Sequence, residues 1–140
     1  AEISTLGEVY EQLMRCEASK RGKKKKPVSF GPTGAAKILF ALRPKAVLLW
    51  DTAIRKEKGY DGSRESYESF LKYLQTELKA LELECKKYGF SLSELPKKLQ
   101  TKGDDILTVP KLLDEYYWLT ITQGYSIPTL QILKGWLKLF

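Results

Sequence analysis

Asp51 is the residue of this chain best placed to do chemistry. It follows the short apolar run Ala46–Trp50 and precedes Thr52-Ala53-Ile54-Arg55. A carboxylate held beside apolar and aromatic surface is poorly solvated when charged, and such groups are often functional. Aspartate is also among the best residues for capping a helix N-terminus. The two roles are compatible because a capping carboxylate can still face a cleft, so Asp51 is a candidate catalytic residue and a predicted N-cap.

The tetrapeptide Gly31-Pro32-Thr33-Gly34 is the candidate phosphate-binding loop. It leads into an apolar segment that ends before Pro44 and is typical of a buried helix. Glycines let a backbone approach a ligand, and the N–H groups and dipole at a helix N-terminus favour a phosphate. The spacing matches neither the ATP-type P-loop nor the dinucleotide fingerprint. The alternative is a simple interhelical turn, which the spacing alone favours.

The positive charge of the chain is concentrated in one run. The net charge is +7. Six of the positive charges belong to Lys20, Arg21, Lys23, Lys24, Lys25 and Lys26, which leaves +1 for the rest of the chain. Such a run indicates contact with nucleic-acid phosphates or another polyanion. A solvated loop explains the run at least as well, and in a source with a nucleus it could be a nuclear address.

Composition excludes several kinds of site. The chain has no histidine, so mechanisms that need an imidazole base are excluded. Cys16 and Cys85 fall at apolar positions of helical patterns and are predicted to be core residues rather than a disulfide or a zinc site. We predict no metal and no cofactor. No apolar run reaches the roughly 20 residues of a membrane helix, so no membrane partner is expected.

The hydrophobic periodicity predicts an all-α protein, a compact bundle of about six or seven helices in a single domain over residues 1–140. Residues 20–29 are expected to form a flexible basic connection, and no strand pairs are expected. The run Ala46–Trp50 is compatible with a strand or a buried helix. Because the chain begins with Ala1 rather than Met, we keep open that it is part of a longer protein. The predicted helices cover 4–19, 33–42, 52–58, 64–88, 92–100 (starting at Ser91 or Ser93), 109–120 and a last one from Ser126.

One motif combines the residues from Gly31 to Leu39, Pro44, and the run Trp50-Asp51-Thr52-Ala53-Ile54-Arg55. This motif resembles the signature of the helix–hairpin–helix DNA glycosylases. The resemblance covers residues 30–56. It implies a glycine-rich hairpin that grips a DNA phosphate and a catalytic aspartate that acts once the base is flipped out. The stretch also resembles small bacterial or archaeal proteins of unassigned function that share the Gly-Pro-Thr…Trp-Asp core.

Carried over to this chain, the resemblance implies that Asp51 is catalytic and that a phosphate is gripped at the hairpin. The position of the lyase nucleophile falls near Ala35 or Pro32, so a Schiff-base activity is not supported. The chain also departs from the pattern in having one helix before the hairpin instead of several. The predicted DNA-binding residues are Gly31, Thr33, Gly34, Lys37, Arg55, Lys23, Lys24, Lys25 and Lys26, and the predicted base-stacking residues are Trp50 and Tyr116.

The leading hypothesis is a DNA-binding protein of helix–hairpin–helix type that acts in DNA repair as a monofunctional glycosylase, hydrolysing the N-glycosidic bond of a damaged or modified base. Duplex DNA is the expected partner. The alternative is a non-enzymatic helical domain that binds nucleic acid or protein, with the C-terminal helix as a docking element. We expect a cytoplasmic protein, associated with the nucleoid in a bacterium or archaeon and nuclear in a eukaryote.

Overall fold

A computed structural model of the chain describes residues 2–21, 25–99, 107–129 and 131. The described part is mostly helical, with one small two-stranded sheet, so the all-α prediction is confirmed. A 3-10 turn, Leu92–Glu94, precedes α5, and a π-helical turn, Trp118–Thr122, continues α6. The elements in chain order are α1 Glu2–Arg15, β1 Glu17–Arg21, β2 Lys26–Ser29, α2 Gly31–Leu42, α3 Thr52–Glu57, α4 Arg64–Lys87, α5 Leu95–Leu99 and α6 Val109–Tyr117.

Helix α4 is the longest described element, and its sequence pattern predicted it closely. The Ser63 hydroxyl accepts the Ser66 N–H at 3.2 Å and caps the N-terminus. The chain leaves the helix through Gly89, whose φ of 78° lies in the left-handed region that glycine adopts without strain. The apolar stripe at three- and four-residue steps is buried at its N-terminal half, through Tyr67, Phe70, Leu71 and Leu74.

A polar seam joins α1 to the start of α4. The Arg64 guanidinium contacts Glu68 at 2.7 Å, Glu8 at 3.3 Å and Glu11 at 3.9 Å. Gly7 makes room for this arrangement, because a Cβ at that position would lie 2.6 Å from Glu68 Cγ. The seam lies partly in solvent, so it orients the two helices more than it stabilises them.

The described residues of the basic connection after α1 form two paired strands, so the prediction of no strand pairs is wrong, and the flexibility expected of 20–29 stays a prediction. Strands β1 and β2 pair antiparallel, with Lys20 opposite Pro27 and Arg21 opposite Lys26. The pairing extends to the base of the hairpin, where the Phe30 N–H donates to the Cys16 carbonyl at 3.1 Å. Proline is tolerated because each strand of a two-stranded sheet has one unpaired edge.

Two further predictions about burial are corrected. Cys85 is buried as predicted, but Cys16 is exposed because α1 ends at Arg15 and the chain turns into the hairpin. Helix α2 was expected to be buried on nearly all sides. It buries only Ala35, Ala36 and Leu39, while Leu42 is 66% exposed, because neighbouring elements cover a single face.

The segment between α2 and α3 forms neither the strand nor the buried helix that the sequence allowed for Ala46–Trp50. After α2 ends before Pro44, residues 47–50 run without regular secondary structure and bury Val47, Leu48 and Trp50. The segment is fixed from the far end of the chain: the Thr108 hydroxyl donates to the Pro44 carbonyl at 3.0 Å while accepting the Lys111 N–H at the start of α6. Tertiary contacts therefore hold this buried stretch in place of a hydrogen-bonded ladder.

The start of the helical segment after Gly89 is settled in favour of Ser91. The Glu94 carboxylate accepts the Ser91 N–H at 2.8 Å, as in a capping box. The predicted polar loop over 101–105 lies outside the described residues. The last predicted helix does not begin at Ser126, because residues 124–129 have no regular secondary structure, and from residue 132 onward it lies outside the described residues. Across the described residues, no helix combines the length and the apolar character that crossing a bilayer requires.

The core is organised around the Trp50 ring, which has no exposed surface. Its neighbours come from α1, from α4 and from the turn before α4. Phe70 stacks on it at 5.5 Å between ring centroids and Tyr67 at 5.1 Å. Tyr10 and Tyr60 approach at 5.7 Å and 6.1 Å in tilted and edge-on geometries. Aromatic pairs in these arrangements add stability beyond the area that they bury.

The contact between Gly62 and Pro32 gives a test of how the turn before α4 packs on α2. A Cβ at Gly62 would lie 2.6 Å from Pro32 Cγ, and the proline ring cannot rotate away. We expect Gly62→Ala to lower the free energy of unfolding by about 1–3 kcal/mol, as overpacking does. Denaturant unfolding of Gly62→Ala, Pro32→Ala and the double variant measures it. The double variant should be less destabilised than the two single changes added together, and simple additivity would contradict the contact.

Candidate nucleic-acid interface

Asp51 is positioned by its role as the cap of α3. Its backbone is extended, and Oδ1 accepts the Ile54 N–H at 2.8 Å. The predicted N-cap is thereby confirmed. The side chain is half-buried, and no hydrogen bond to Oδ2 is found among the described residues. The carboxylate is therefore fixed in direction by one oxygen, and its catalytic role stays a prediction.

Arg55 ties the two halves of the sequence motif together. Its Nη1 donates to Thr33 Oγ1 at 3.2 Å and to the Trp50 carbonyl at 3.0 Å, and Nη2 donates to Thr52 Oγ1 at 3.0 Å. The guanidinium carbon also lies 5.5 Å from the centre of the Trp50 ring. The two parts of the motif in residues 30–56, the Gly31–Gly34 turn and the Trp50–Arg55 run, therefore lie in contact. These three hydrogen bonds make Arg55 a positioning group for the start of α2, and its predicted contact with a DNA phosphate stays a prediction.

The glycine-rich tetrapeptide forms the first turn of α2, not a loop between two helices. The preceding element is strand β2, and Gly31 enters the helix with a φ of 64°. Within the described chain, no side chain caps this N-terminus and its first turn holds no acidic residue. Unpaired N–H groups with no competing carboxylate leave this turn open to an anion. Lys37 is exposed further along the same helix.

The hairpin carries the basic run directly to this turn. Lys25 and Lys26 are exposed, and Lys25 turns the chain with a φ of 47°. Lys23 and Lys24 lie outside the described residues, and only the backbone of Lys20 and Arg21 is described. Strand β2 ends at Ser29, so one residue, Phe30, separates the basic hairpin from α2.

Phe30 is a site residue that the sequence analysis missed. Its side chain is 42% exposed. It lies against the first turn of α2, where a Cβ at Gly34 would be 3.1 Å from Phe30 Cβ. The sequence does hold a signal, namely a large aromatic residue placed between a lysine run and a Gly-Pro step.

The two predicted base-stacking residues differ in outcome. Trp50 is fully buried, with Phe70 and Tyr67 stacked on its ring, so a nucleobase cannot reach it in the folded chain. That prediction is corrected: the apolar run that delivers Trp50 enters the core instead of a cleft. Tyr116 is 44% exposed on α6, and its base-stacking role stays a prediction. Its neighbour Tyr117 packs against Lys58, beyond the other end of α3.

Buried hydroxyls and turn hydrogen bonds set the electrostatics around the site. Burial raises the pKa of Tyr10 to about 12, an effect that the nearby Arg55 charge partly offsets, and its hydroxyl donates to the Gly62 carbonyl at 2.9 Å. Hydrogen bonds from the Ser63 and Ser66 side chains and the Ser63 N–H lower the pKa of Asp61 to about 2, as expected of a turn residue. No cluster of three potential metal ligands occurs among the described residues.

Comparison of the chain with known proteins gave no match to a family model, to a curated protein or to a solved structure. The resemblance to the helix–hairpin–helix glycosylases therefore stays a prediction from residues 30–56. Function has to be argued from the geometry of the site itself.

The capping role of Asp51 can be measured apart from any chemistry. Asparagine caps helices about as well as aspartate, whereas alanine provides no acceptor. We expect Asp51→Ala to lower the free energy of unfolding by about 1 kcal/mol and Asp51→Asn to change it by a few tenths at most. Urea titration followed by circular dichroism measures both. If both variants lose the same free energy of unfolding, then the negative charge of Asp51, and not its capping hydrogen bond, is what stabilises α3.

Proposed function

We propose that the protein binds DNA through its phosphate backbone, using the basic hairpin of residues 17–29 and the first turn of α2. The observation that carries the proposal is the direct continuity of the two features. The hairpin is anchored at its base by the bond from Phe30 to Cys16, and the next residue begins a helix whose N-terminus has no side-chain cap. Lysine side chains and free helix N–H groups are the usual partners of phosphate.

The register of the hairpin sets basic residue types opposite each other, because the backbone of Arg21 pairs with that of Lys26. A segment so rich in basic residues suits a polyanion, and counterions released from the DNA would drive the binding.

Binding of this kind is expected to be largely independent of base sequence. Contacts to phosphate oxygens position a protein on DNA but do not distinguish base pairs. Helix α2 meets its ligand with backbone groups and small residues, Gly31, Thr33 and Gly34, which reach no base edge. The affinity for DNA is therefore expected to depend strongly on the salt concentration and weakly on the base sequence.

The salt dependence of binding tests the proposal. The variant neutralises Lys20, Arg21 and Lys23 to Lys26 as glutamine, and binding to a duplex oligonucleotide is followed by fluorescence anisotropy over a series of salt concentrations. Each lost phosphate contact should reduce the slope of log K against log salt by about 0.9 for duplex DNA. We expect a loss of several such contacts together with a large loss of affinity at low salt.

A matched control exists on the other helices. Lys72, Lys79, Lys86, Lys87, Lys97 and Lys98 are all exposed on α4 and α5, and their neutralisation removes the same six charges. If net charge alone attracts the DNA, both variants should weaken binding equally. A larger effect of the hairpin variant supports a local interface, and unchanged binding in that variant would overturn the proposal.

Base excision by Asp51 is a second candidate function, supported by one observation. The carboxylate is half-buried with Oδ1 held by the Ile54 N–H, and Arg55 of the same helix donates to Thr33 in the first turn of α2. A carboxylate so placed could stabilise a cationic sugar as the glycosidic bond breaks. If it does, the purified protein should release base from a duplex that carries a damaged or modified base.

The decisive variant for this second function is Asp51→Asn, because asparagine preserves the cap and removes the charge. Base release should fall by several orders of magnitude while DNA affinity and the unfolding midpoint stay unchanged. Release is measured by separation of free base from the oligonucleotide across a panel of lesions. Release that survives Asp51→Asn would show that another group or a contaminant is responsible.

A further inference from the structure

Phe30 is an exposed aromatic residue held rigidly at the centre of the proposed interface. Its N–H donates to the Cys16 carbonyl at 3.1 Å, which fixes its backbone to the end of the hairpin. Its own φ and ψ of −62° and −32° are helical, and Gly31 then leads into α2 with a φ of 64°. A large apolar side chain with 42% of its surface exposed is thus displayed where the hairpin meets α2.

Gly34 explains how the Phe30 side chain is supported. A Cβ at Gly34 would lie 3.1 Å from Phe30 Cβ and 3.6 Å from Cδ1, so a larger residue at this position would push the phenyl group away from the first turn of α2 by a few tenths of an ångström. The helix supports the side chain from below and leaves the rest of it in contact with solvent. Restricting an aromatic side chain before a ligand arrives reduces the entropy lost on binding.

The surroundings of Phe30 match the requirements of a base-stacking platform. Proteins that bind single-stranded nucleic acid combine groups that track the backbone with aromatic side chains on which bases stack. Here Lys25 and Lys26 precede the phenyl group and the uncapped turn of α2 follows it. In a fully paired duplex the faces of each base are covered by its neighbours, so a phenyl group at this place is of use only where a base is unpaired.

We propose that Phe30 stacks on an unpaired base of the DNA strand that the hairpin and α2 hold, so that the protein prefers single-stranded DNA to fully paired duplex. The inference rests on the proposed function, because it assumes that the strand backbone lies along the hairpin and the first turn of α2. Phe30 would take the base-stacking role that the sequence predicted for Trp50, because the core encloses Trp50 whereas a base can reach Phe30.

The test compares two ligands, an oligothymidine of about 12 nucleotides and a duplex of the same length, a size within the range that small single-strand sites cover. The proteins are the full chain, Phe30→Ala, Phe30→Leu, Phe30→Trp and the control Tyr88→Ala, which removes an aromatic side chain that is 79% exposed just after α4. Affinities are measured by fluorescence anisotropy at one fixed salt concentration, with circular dichroism to confirm folding.

We expect the full chain to bind the single strand more tightly than the duplex. Phe30→Ala and Phe30→Leu should each lose about 5- to 150-fold in affinity for the single strand, the range for one stacked base, and change little on the duplex. The leucine variant keeps an apolar group against Gly34 but has no ring, so it separates loss of stacking from loss of packing. Phe30→Trp should retain binding, and Tyr88→Ala should have no effect.

Stacking itself is read with 2-aminopurine at one position of the single strand, whose fluorescence is quenched when it stacks. Quenching should occur with the full chain and be absent with Phe30→Leu. Binding of both ligands that is unaffected by Phe30→Leu, or a preference for the duplex, would overturn the stacking proposal while leaving backbone binding intact. Failure to bind either ligand in a salt-dependent way would instead overturn the proposed function.

Discussion

The enclosure of the Trp50 ring is the constraint on which the rest of the structure depends. Tyr10 comes from α1, Tyr67 and Phe70 come from α4, and all three close on an indole delivered by a segment without regular secondary structure. An irregular segment has no ladder of its own to hold it in the interior, so its side-chain contacts must do so. The tryptophan therefore fixes where α3 begins and how the short N-terminal elements meet the long helix.

The same enclosure decides what the neighbouring polar groups can do. Because the ring is fixed, the Trp50 carbonyl is a fixed acceptor, and Arg55 uses it together with Thr33 to hold the start of α2 against α3. An arginine held in this way is a positioning group. Further positive charge for a ligand comes from the hairpin on the other side of the Gly31 turn. The core thus positions the start of α2, and the hairpin separately contributes the positive charge of the proposed phosphate-binding site.

Local signals in the sequence predicted the parts of this arrangement that are themselves local. The Asp51 cap, the end of α4 before Gly89 and the apolar stripe of α4 all depend on residues within one or two helical turns. The hairpin was missed because a lysine-rich strand with a proline resembles a solvated loop, and its pairing depends on register rather than on hydrophobicity. The exposure of Phe30 and the burial of Trp50 were missed for a related reason. Both are aromatic, and only the tertiary packing determines which one the core encloses.

The proposed binding role gives a physical reason for a hairpin that gains little from folding. Val28 is the one half-buried side chain of β2. A two-stranded hairpin in water is marginal because it buries so little apolar surface. The sequence nevertheless places six basic residues between Lys20 and Lys26. In the proposed complex, a phosphate backbone would provide the opposite charge at regular intervals along its length.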